Sequence, residues 1–181
     1  DLTFYRALMA SSMCEIMETC QRGMMDYTFL GGAQIDCHGN LNSSMIGDDY
    51  ARPKVRFPGS GGANDLASFC WRTLVVTNHD RRRFVEKLDF LTTPGYLDGP
   101  GSREEAGLPP GTGPYRVITE LAVMGYHDET RRMQVLSLHP GVTLEQVQQH
   151  TAFDLPAAED VAETDPPTGE ELRILREEVD P

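Results

Sequence analysis

A run of glycines, Gly59-Ser60-Gly61-Gly62-Ala63, leads into a predicted helix that begins near Asn64. Glycine-rich turns expose backbone N–H groups, and a helix start adds partial positive charge, so such a loop favours an anion or a developing oxyanion. No Gly-Lys-Ser/Thr follows the run, and Asn64 stands where a dinucleotide fingerprint has its third glycine. The residues alone leave two alternatives open, an oxyanion site and an ordinary helix entry.

A second stretch combines small residues with side-chain amides. Gly31 and Gly32 are followed by Gln34, Asn40 and Asn42, whose amides offer directed hydrogen bonds without net charge. Such a stretch forms either a well-made turn or a loop that binds a substrate. We take the three amides as candidate substrate contacts, and the purely structural turn remains the alternative.

The cationic run Arg81-Arg82-Arg83, with Lys87 nearby, could bind phosphate groups or a partner subunit. Most such runs lie on a solvated face, which is the simpler interpretation. The five histidines and four cysteines show no metal-site spacing, so we expect no metal ion and predict buried free thiols. No Gly-x-Ser-x-Gly elbow is present, and a serine hydrolase is unsupported.

Composition limits the class of protein further. The 181 residues favour one compact domain, and 16 basic against 28 acidic side chains give a net charge of −12. This charge argues against nucleic acid and anionic membranes as partners. No apolar run approaches the ~20 residues of a membrane span, and the first residues lack the charged and apolar regions of a signal peptide. We therefore expect a soluble, cytoplasmic protein.

The elements that must position the two loops alternate between strands and helices. Capping-box pairs predict three helices, at Ser12 with Glu15, Thr143 with Gln146, and Thr168 with Glu171. Predicted strands are 25–30, 74–77, 84–91, 115–124 and 133–138, while the acidic segment 156–167 reads as a surface excursion. This alternation predicts an α/β fold with an open, mainly parallel sheet and flanking helices, in which ligands bind beyond the carboxyl ends of strands.

Five segments together resemble the B subunit of class I coenzyme A transferases. They are GGAQID with GNLNSS and GD (31–48), PKVRFPGSGGANDLAS (53–68), RRRFVEKLDFLTTPGYLDGPGSREEAGLPPGTGP (81–114), HPGVTLEQVQQHTAFDL (139–155) and LREEVDP (175–181). The TPGYLDGPG and REEAGLP blocks look most like the glutaconate CoA-transferase branch. The resemblance covers nearly the whole chain in the order of the family.

The resemblance implies an open α/β CoA-transferase fold and a hetero-oligomer with a related A subunit. It also implies ping-pong chemistry on acyl-CoA and carboxylate substrates, in which a glutamate forms an acyl anhydride and then a glutamyl-CoA thioester. CoA would be substrate and covalent intermediate, with no permanently bound cofactor. Gly59, Ser60, Gly61, Gly62 and Ala63 match the oxyanion loop of the family, and the Gly61 amide is the implied donor.

One departure concerns the nucleophile. The catalytic glutamate of the family precedes the helix that here begins near Ser12, and Glu15 and Glu18 fall on that helix instead. We therefore expect residues 1–181 to be a single B-subunit domain that lacks an N-terminal strand and helix segment carrying the glutamate. An acyl-CoA hydrolase or decarboxylase on the same fold, or a non-catalytic structural subunit, remains an alternative.

Overall fold

A six-stranded sheet organises the chain in a computed structural model that describes residues 6–180. In chain order the elements are α1 (Met13–Gln21), β1 (Tyr27–Leu30), β2 (Gln34–Ile35), β3 (Leu41–Asn42), β4 (Met45–Ile46), β5 (Val55–Arg56), α2 (Ala63–Phe69), β6 (Arg72–Val76), α3 (Ser102–Glu105), β7 (Gly113–Ile118), β8 (Ala122–Tyr126), β9 (Met133–Leu138), α4 (Leu144–Gln149), β10 (Ala157–Glu163) and α5 (Gly169–Ile174). A π-helical turn, Leu175–Val179, continues α5. Residues 1–5 lie outside the described residues.

The strand order of the large sheet is β1-β6-β7-β8-β9-β10. β1, β6 and β7 run parallel to one another, β8 is antiparallel to both of its neighbours, and β10 runs parallel to β9. The sheet is therefore mixed and mainly parallel, which confirms the predicted α/β class. Two small antiparallel pairs, β2 with β3 and β4 with β5, lie outside this sheet and frame the polar loops that follow β1.

Three predicted segments differ from the structure. Residues 115–124 form parts of two strands, because a tight turn at 119–121 reverses the chain between β7 and β8. Residues 84–91 run irregularly, since Phe84 makes a single bridge to Ile35 and its ring is fully buried in the core. Residues 156–167 contain the edge strand β10, because this segment pairs with the outer edge of β9.

The capping predictions are confirmed. The side chains of Ser12, Thr143 and Thr168 each accept a hydrogen bond from the backbone N–H three residues later, at 3.3, 3.3 and 3.2 Å. The cysteine prediction holds for the buried free thiols of Cys20, Cys37 and Cys70. It is wrong for Cys14, which is exposed on the outer side of α1.

The core lies on one face of the large sheet. Four neighbouring strands contribute fully buried side chains to it, among them Val75, Val117, Met124 and Val135. The other face is less covered, because Phe29 and Val76 there remain 68% and 54% exposed. This core fixes the carboxyl ends of β1, β6 and β7, from which the candidate site is built.

Candidate active site

The glycine loop, residues 59–62, lies between β5 and α2 and is hydrogen-bonded to Ser43, which directly follows β3. The Gly59 N–H donates to the Ser43 carbonyl oxygen at 3.0 Å, and Ser43 Oγ donates to the Gly59 carbonyl oxygen at 3.0 Å. Ser43 in turn receives support from Thr92, whose Oγ1 accepts the Ser43 N–H at 2.9 Å. The structure therefore brings together the glycine loop and the amide-containing stretch, which the sequence predicted as candidate binding loops.

Gly61 presents its backbone to solvent. Its φ of +50° is in the left-handed region, and a Cβ added there would meet no atom within 4 Å. Within residues 6–180, the Gly61 N–H has no hydrogen-bond acceptor. An exposed amide without an internal partner is the geometry that an oxyanion donor requires.

The other loop residues shape this turn. The Ser60 carbonyl oxygen accepts the Ala63 N–H at 2.9 Å, and Ser60 Oγ accepts the Asn64 N–H at 3.1 Å. A Cβ on Gly62 would lie 2.4 Å from Cε of Met17, so α1 packs directly on the loop. Ser60, Gly62 and Ala63 therefore hold the position of Gly61.

The amides of Gln34 and Asn42 face the interior. Asn42 Nδ2 donates to Gln34 Oε1 at 2.7 Å and to the Met45 carbonyl oxygen at 2.6 Å, while its Oδ1 accepts the Ser44 N–H at 2.9 Å. Gln34 Nε2 donates to Asp89 Oδ2 at 3.3 Å, and Gln34 Oε1 accepts the Asp89 N–H at 3.1 Å. Both amides therefore support the turn, and their contact with a substrate stays a prediction.

Asn40 has a similar internal role. Its Nδ2 donates to Asp36 Oδ2 at 2.8 Å and to the Leu97 carbonyl oxygen at 2.9 Å. Its Oδ1 accepts the N–H groups of Gly95 at 2.8 Å and Leu97 at 3.0 Å. Asn40 thus joins the loop after β2 to segment 93–114, and its contact with a substrate stays a prediction.

Arg103 is a positioning residue that the sequence analysis missed. Its side chain is 1% exposed and donates to the carbonyl oxygens of Gly95 and Ala67, at 2.7 and 3.1 Å, and to Thr112 Oγ1 at 2.9 Å. Ala67 lies toward the end of α2, where backbone carbonyl oxygens carry partial negative charge. Arg103 therefore ties segment 93–114 to the helix that the glycine loop begins, and no local pattern in the sequence indicates this.

His79 is a second residue that the sequence analysis missed. It is 3% exposed, and its Nδ1 and Nε2 lie 3.2 Å from Thr119 Oγ1 and 2.9 Å from Thr151 Oγ1. Its ring stacks on Phe84 with centroids 4.1 Å apart. Burial lowers the pKa of His79 to about 4, although the Glu120 carboxylate raises it. The neutral ring thus connects the turns beyond β6 and β7 with the end of α4.

Replacing His79 with Gln should remove a pH-dependent part of the stability. The folded protein keeps His79 neutral down to a pKa of about 4, whereas the unfolded chain protonates it below about pH 6.5. The unfolded state therefore binds more protons between these values. Relative to His79→Gln, the wild-type free energy of unfolding should fall by roughly 3 kcal/mol as the pH drops from about 7 to about 4.

Urea unfolding of both proteins at about pH 7, 5.5 and 4.5 measures this difference. A difference in unfolding free energy that stays constant over this range would show that His79 does not titrate on unfolding.

Two observations concern other kinds of site. Among residues 6–180, no three histidine, cysteine, aspartate or glutamate side chains lie close enough together to hold a metal ion. None of the helices in this part of the chain is long and apolar enough to cross a membrane. That the protein needs no metal stays a prediction.

These features define an open α/β protein with a glycine loop whose Gly61 amide has no acceptor among the described residues. The family profile described as Coenzyme A transferase matches residues 1–150. The chain belongs to the coenzyme A transferase family, which confirms the resemblance and the fold that it implied.

Named relatives support this assignment. The B subunit of glutaconate CoA-transferase from Acidaminococcus fermentans is 42% identical over 92% of this chain and 62% of its own length. The crystal structure of glutaconate coenzyme A-transferase from that organism has a TM-score of 0.82 at 41% identity, over 91% of this chain and 62% of that one. The B subunit of 3-oxoadipate CoA-transferase from Pseudomonas knackmussii is 45% identical over 86% of this chain and 59% of its own length.

A more distant relative carries a different name. The cholesterol ring-cleaving hydrolase IpdB subunit of Rhodococcus jostii is 32% identical over 86% of this chain and 60% of its own length. The chain thus spans about three fifths of the length of the curated relatives it matches.

Proposed function

We propose that this chain belongs to the B subunit of a heteromeric acyl-CoA:carboxylate CoA-transferase. The observation that carries the proposal is the exposed Gly61 amide, which lacks an internal acceptor among the described residues. The two relatives above 40% identity are both named as CoA-transferase B subunits, which supports the same conclusion. A related A subunit would complete the hetero-oligomer.

In the proposed reaction, a glutamate carboxylate attacks the thioester carbonyl carbon of an acyl-CoA. The carbonyl oxygen becomes an oxyanion, to which the Gly61 N–H donates. The carbon–sulfur bond breaks, the CoA thiolate leaves, and an acyl-glutamyl anhydride remains. The thiolate then attacks the glutamyl carbonyl and releases the acyl group as a carboxylate, so CoA is held as a glutamyl thioester. A second carboxylate collects CoA by the reverse steps, and no permanently bound cofactor is required.

We further propose that the nucleophilic glutamate lies outside residues 1–181. The Glu15 carboxylate accepts hydrogen bonds from the N–H and the hydroxyl of Ser12, at 2.7 and 2.9 Å, and these bonds lower its pKa. Glu18 pairs with Arg22 at 3.3 Å on the exposed side of α1. Both carboxylates of α1 are thus engaged in stabilising their own helix.

The acyl group is a dicarboxylic or otherwise polar one. Glutaconate and 3-oxoadipate, which name the two relatives above 40% identity, are both dicarboxylates. A second carboxylate needs cationic or amide donors. Because Gln34, Asn40 and Asn42 are engaged internally, these donors come from the A subunit or from other parts of the B subunit.

A transfer assay tests the proposal. The subunit that contains residues 1–181 should copurify with a CoA-transferase A subunit, and the pair should convert acetyl-CoA and a dicarboxylate into free acetate and a new acyl-CoA detectable by mass. A monocarboxylate of similar length should be a poorer acceptor. A pair that copurifies but leaves acetyl-CoA intact would contradict the enzymatic assignment in favour of a structural subunit.

Hydrolysis is the second candidate, because one relative is named as a ring-cleaving hydrolase subunit. That name refers to a ring bond, and hydrolysis of the acyl-CoA thioester itself is the alternative that the family resemblance leaves open. In the same assay, loss of acetyl-CoA with release of free CoA and no new acyl-CoA would identify it. A residue other than glutamate at the nucleophile position would agree with that result, or with a decarboxylase.

A further inference from the structure

We propose a second ligand site, for a phosphoryl dianion, at the end of the sheet opposite the glycine loop. Arg72, Arg116 and Arg131 line a cavity of about 310 Å³ there. This inference stands on these residues and does not depend on the proposed transferase reaction.

The topology brings the three arginines together. Arg72 is the first residue of β6, and Arg116 lies on the neighbouring strand β7, where Leu74 is its partner in the register. Arg131 lies in the hairpin that joins β8 to β9, beyond the end of β8. Since β8 is antiparallel to β7, its end lies beside the start of β7. The arginines therefore meet at the beginning of the parallel strands, whereas Gly31 follows the carboxyl end of β1.

The cavity has an excess of positive charge. Asp128 is the one carboxylate among the cavity residues described, and it lies 3.9 Å from Arg131 with its side chain fully exposed, so it neutralises little. Arg72 donates to the Gly111 carbonyl oxygen and Arg116 to the carbonyl oxygen of its neighbour Tyr115, at 2.5 and 2.8 Å. Three guanidinium groups face one exposed carboxylate in this cavity. Arg72 and Arg131 also line the adjoining cavity with Glu104 and Glu129, so the positive excess is confined to the end at Arg116.

Aromatic rings hold the guanidinium groups in place. The Arg116 guanidinium carbon lies 3.9 Å from the Tyr115 ring centroid, and the Arg131 carbon lies 5.2 Å from that of Tyr96. Arg72 lies 4.3 Å from the centroid of the Trp71 ring. A guanidinium stacked on a ring keeps its N–H edge available, and less side-chain freedom is lost when a ligand binds.

The charge and the donors favour a phosphoryl group. A phosphate monoester carries between about −1.5 and −2 at neutral pH and offers three acceptor oxygens, which suit the planar fork of arginine. The adjoining cavity of about 320 Å³ adds the carboxylates of Glu104 and Glu129. The phosphoryl group therefore belongs beside Arg116, away from these carboxylates. Two sources share this chemistry, inorganic phosphate and the 3′-phosphate of CoA.

Trp71 provides a direct test, because it is the single tryptophan of the chain and is half exposed beside Arg72. The fluorescence of the assembled enzyme would be titrated at low ionic strength with inorganic phosphate, CoA and dephospho-CoA, and a Trp71→Phe variant would identify the part of the signal that comes from Trp71. A saturable change at a Kd below about 1 mM is expected, and Arg116→Gln should weaken it roughly tenfold or more. Arg176→Gln, on the exposed π-helical turn, is the matched control and should bind as the wild type does.

The three ligands of the titration distinguish the two sources of the phosphoryl group. A response to inorganic phosphate assigns the site to phosphate itself, and a response to CoA that dephospho-CoA lacks assigns it to the 3′-phosphate. No saturable change with any of the three at about 5 mM, or equal binding by Arg116→Gln with an unchanged melting temperature, would overturn the proposal.

Discussion

Gly95→Ala should lower the free energy of unfolding by roughly 3–5 kcal/mol. A Cβ on Gly95 would lie 2.3 Å from the Gly39 carbonyl carbon and 2.5 Å from the Asn40 backbone nitrogen. Backbone atoms cannot rotate away as a flexible side chain could. The displaced loop would also lose the bond from the Gly95 N–H to Asn40 Oδ1 and the bond from Arg103 to the Gly95 carbonyl oxygen, at 2.8 and 2.7 Å.

Thermal and urea unfolding measure this effect, and a loss of roughly 6–20 °C in melting temperature corresponds to it. Gly169→Ala is the matched control, because it makes the same chemical change at the first residue of α5, where a Cβ meets no atom within 4 Å. Equal stability of the two variants would mean that segment 93–114 does not pack on Asn40 as described.

Gly61→Val should lower the kcat of the assembled enzyme by roughly 10²–10³, the usual cost of one oxyanion donor, while CoA affinity changes less. The space around Gly61 is open, so no neighbouring atom excludes the valine side chain. The effect comes from the backbone, because a β-branched residue strongly disfavours the φ of +50° and turns the amide away.

Gly61→Ala separates the amide from the side chain. Alanine tolerates the left-handed region at about 1–2 kcal/mol, so this variant should keep the loop and most of its turnover. Both variants should show the wild-type near-ultraviolet circular dichroism. Near-normal kcat in a correctly folded Gly61→Val enzyme would leave the glycine loop as an ordinary helix entry.

Local chemistry predicted the helix starts and the choice of loops. Ser12, Thr143 and Thr168 cap their helices because a capping box involves residues only three positions apart. The two candidate binding loops could also be predicted, because small residues and side-chain amides are visible in the local sequence. Their contact through Ser43 and Gly59 then followed from the fold.

The roles of the amides could not be predicted, because their partners are distant in sequence. Gln34 binds Asp89, and Asn40 binds Gly95, so residues predicted as substrate contacts also hold segments of the chain together, and their contact with a substrate stays a prediction. A side-chain amide has the same hydrogen-bonding groups for either task. Only the burial of Asn40 and its partners distinguishes the two roles.

The sequence likewise does not reveal which arginines lie close together in the fold. The run at 81–83 is obvious in the sequence, yet it does not form a joint site, since Arg82 pairs with Asp80 at 2.9 Å and Arg83 donates to the Gly32 carbonyl oxygen at 2.9 Å. The arginines that do converge, at 72, 116 and 131, are far apart in the chain. Their meeting depends on the register of β6 with β7 and on the position of one hairpin, which sequence order does not reveal.

The location of the nucleophile is tested most directly by trapping the thioester intermediate. The assembled enzyme, with the complete B subunit, would be incubated with acyl-CoA and reduced with borohydride, which converts a thioester-bound glutamyl carboxyl group into an alcohol. Peptide masses then identify the modified residue. We expect one modified glutamate, outside residues 1–181, with Glu15 and Glu18 unchanged. A reduced glutamate at any position within residues 1–181 would contradict the proposal that the oxyanion loop lies within these residues and the nucleophile outside them.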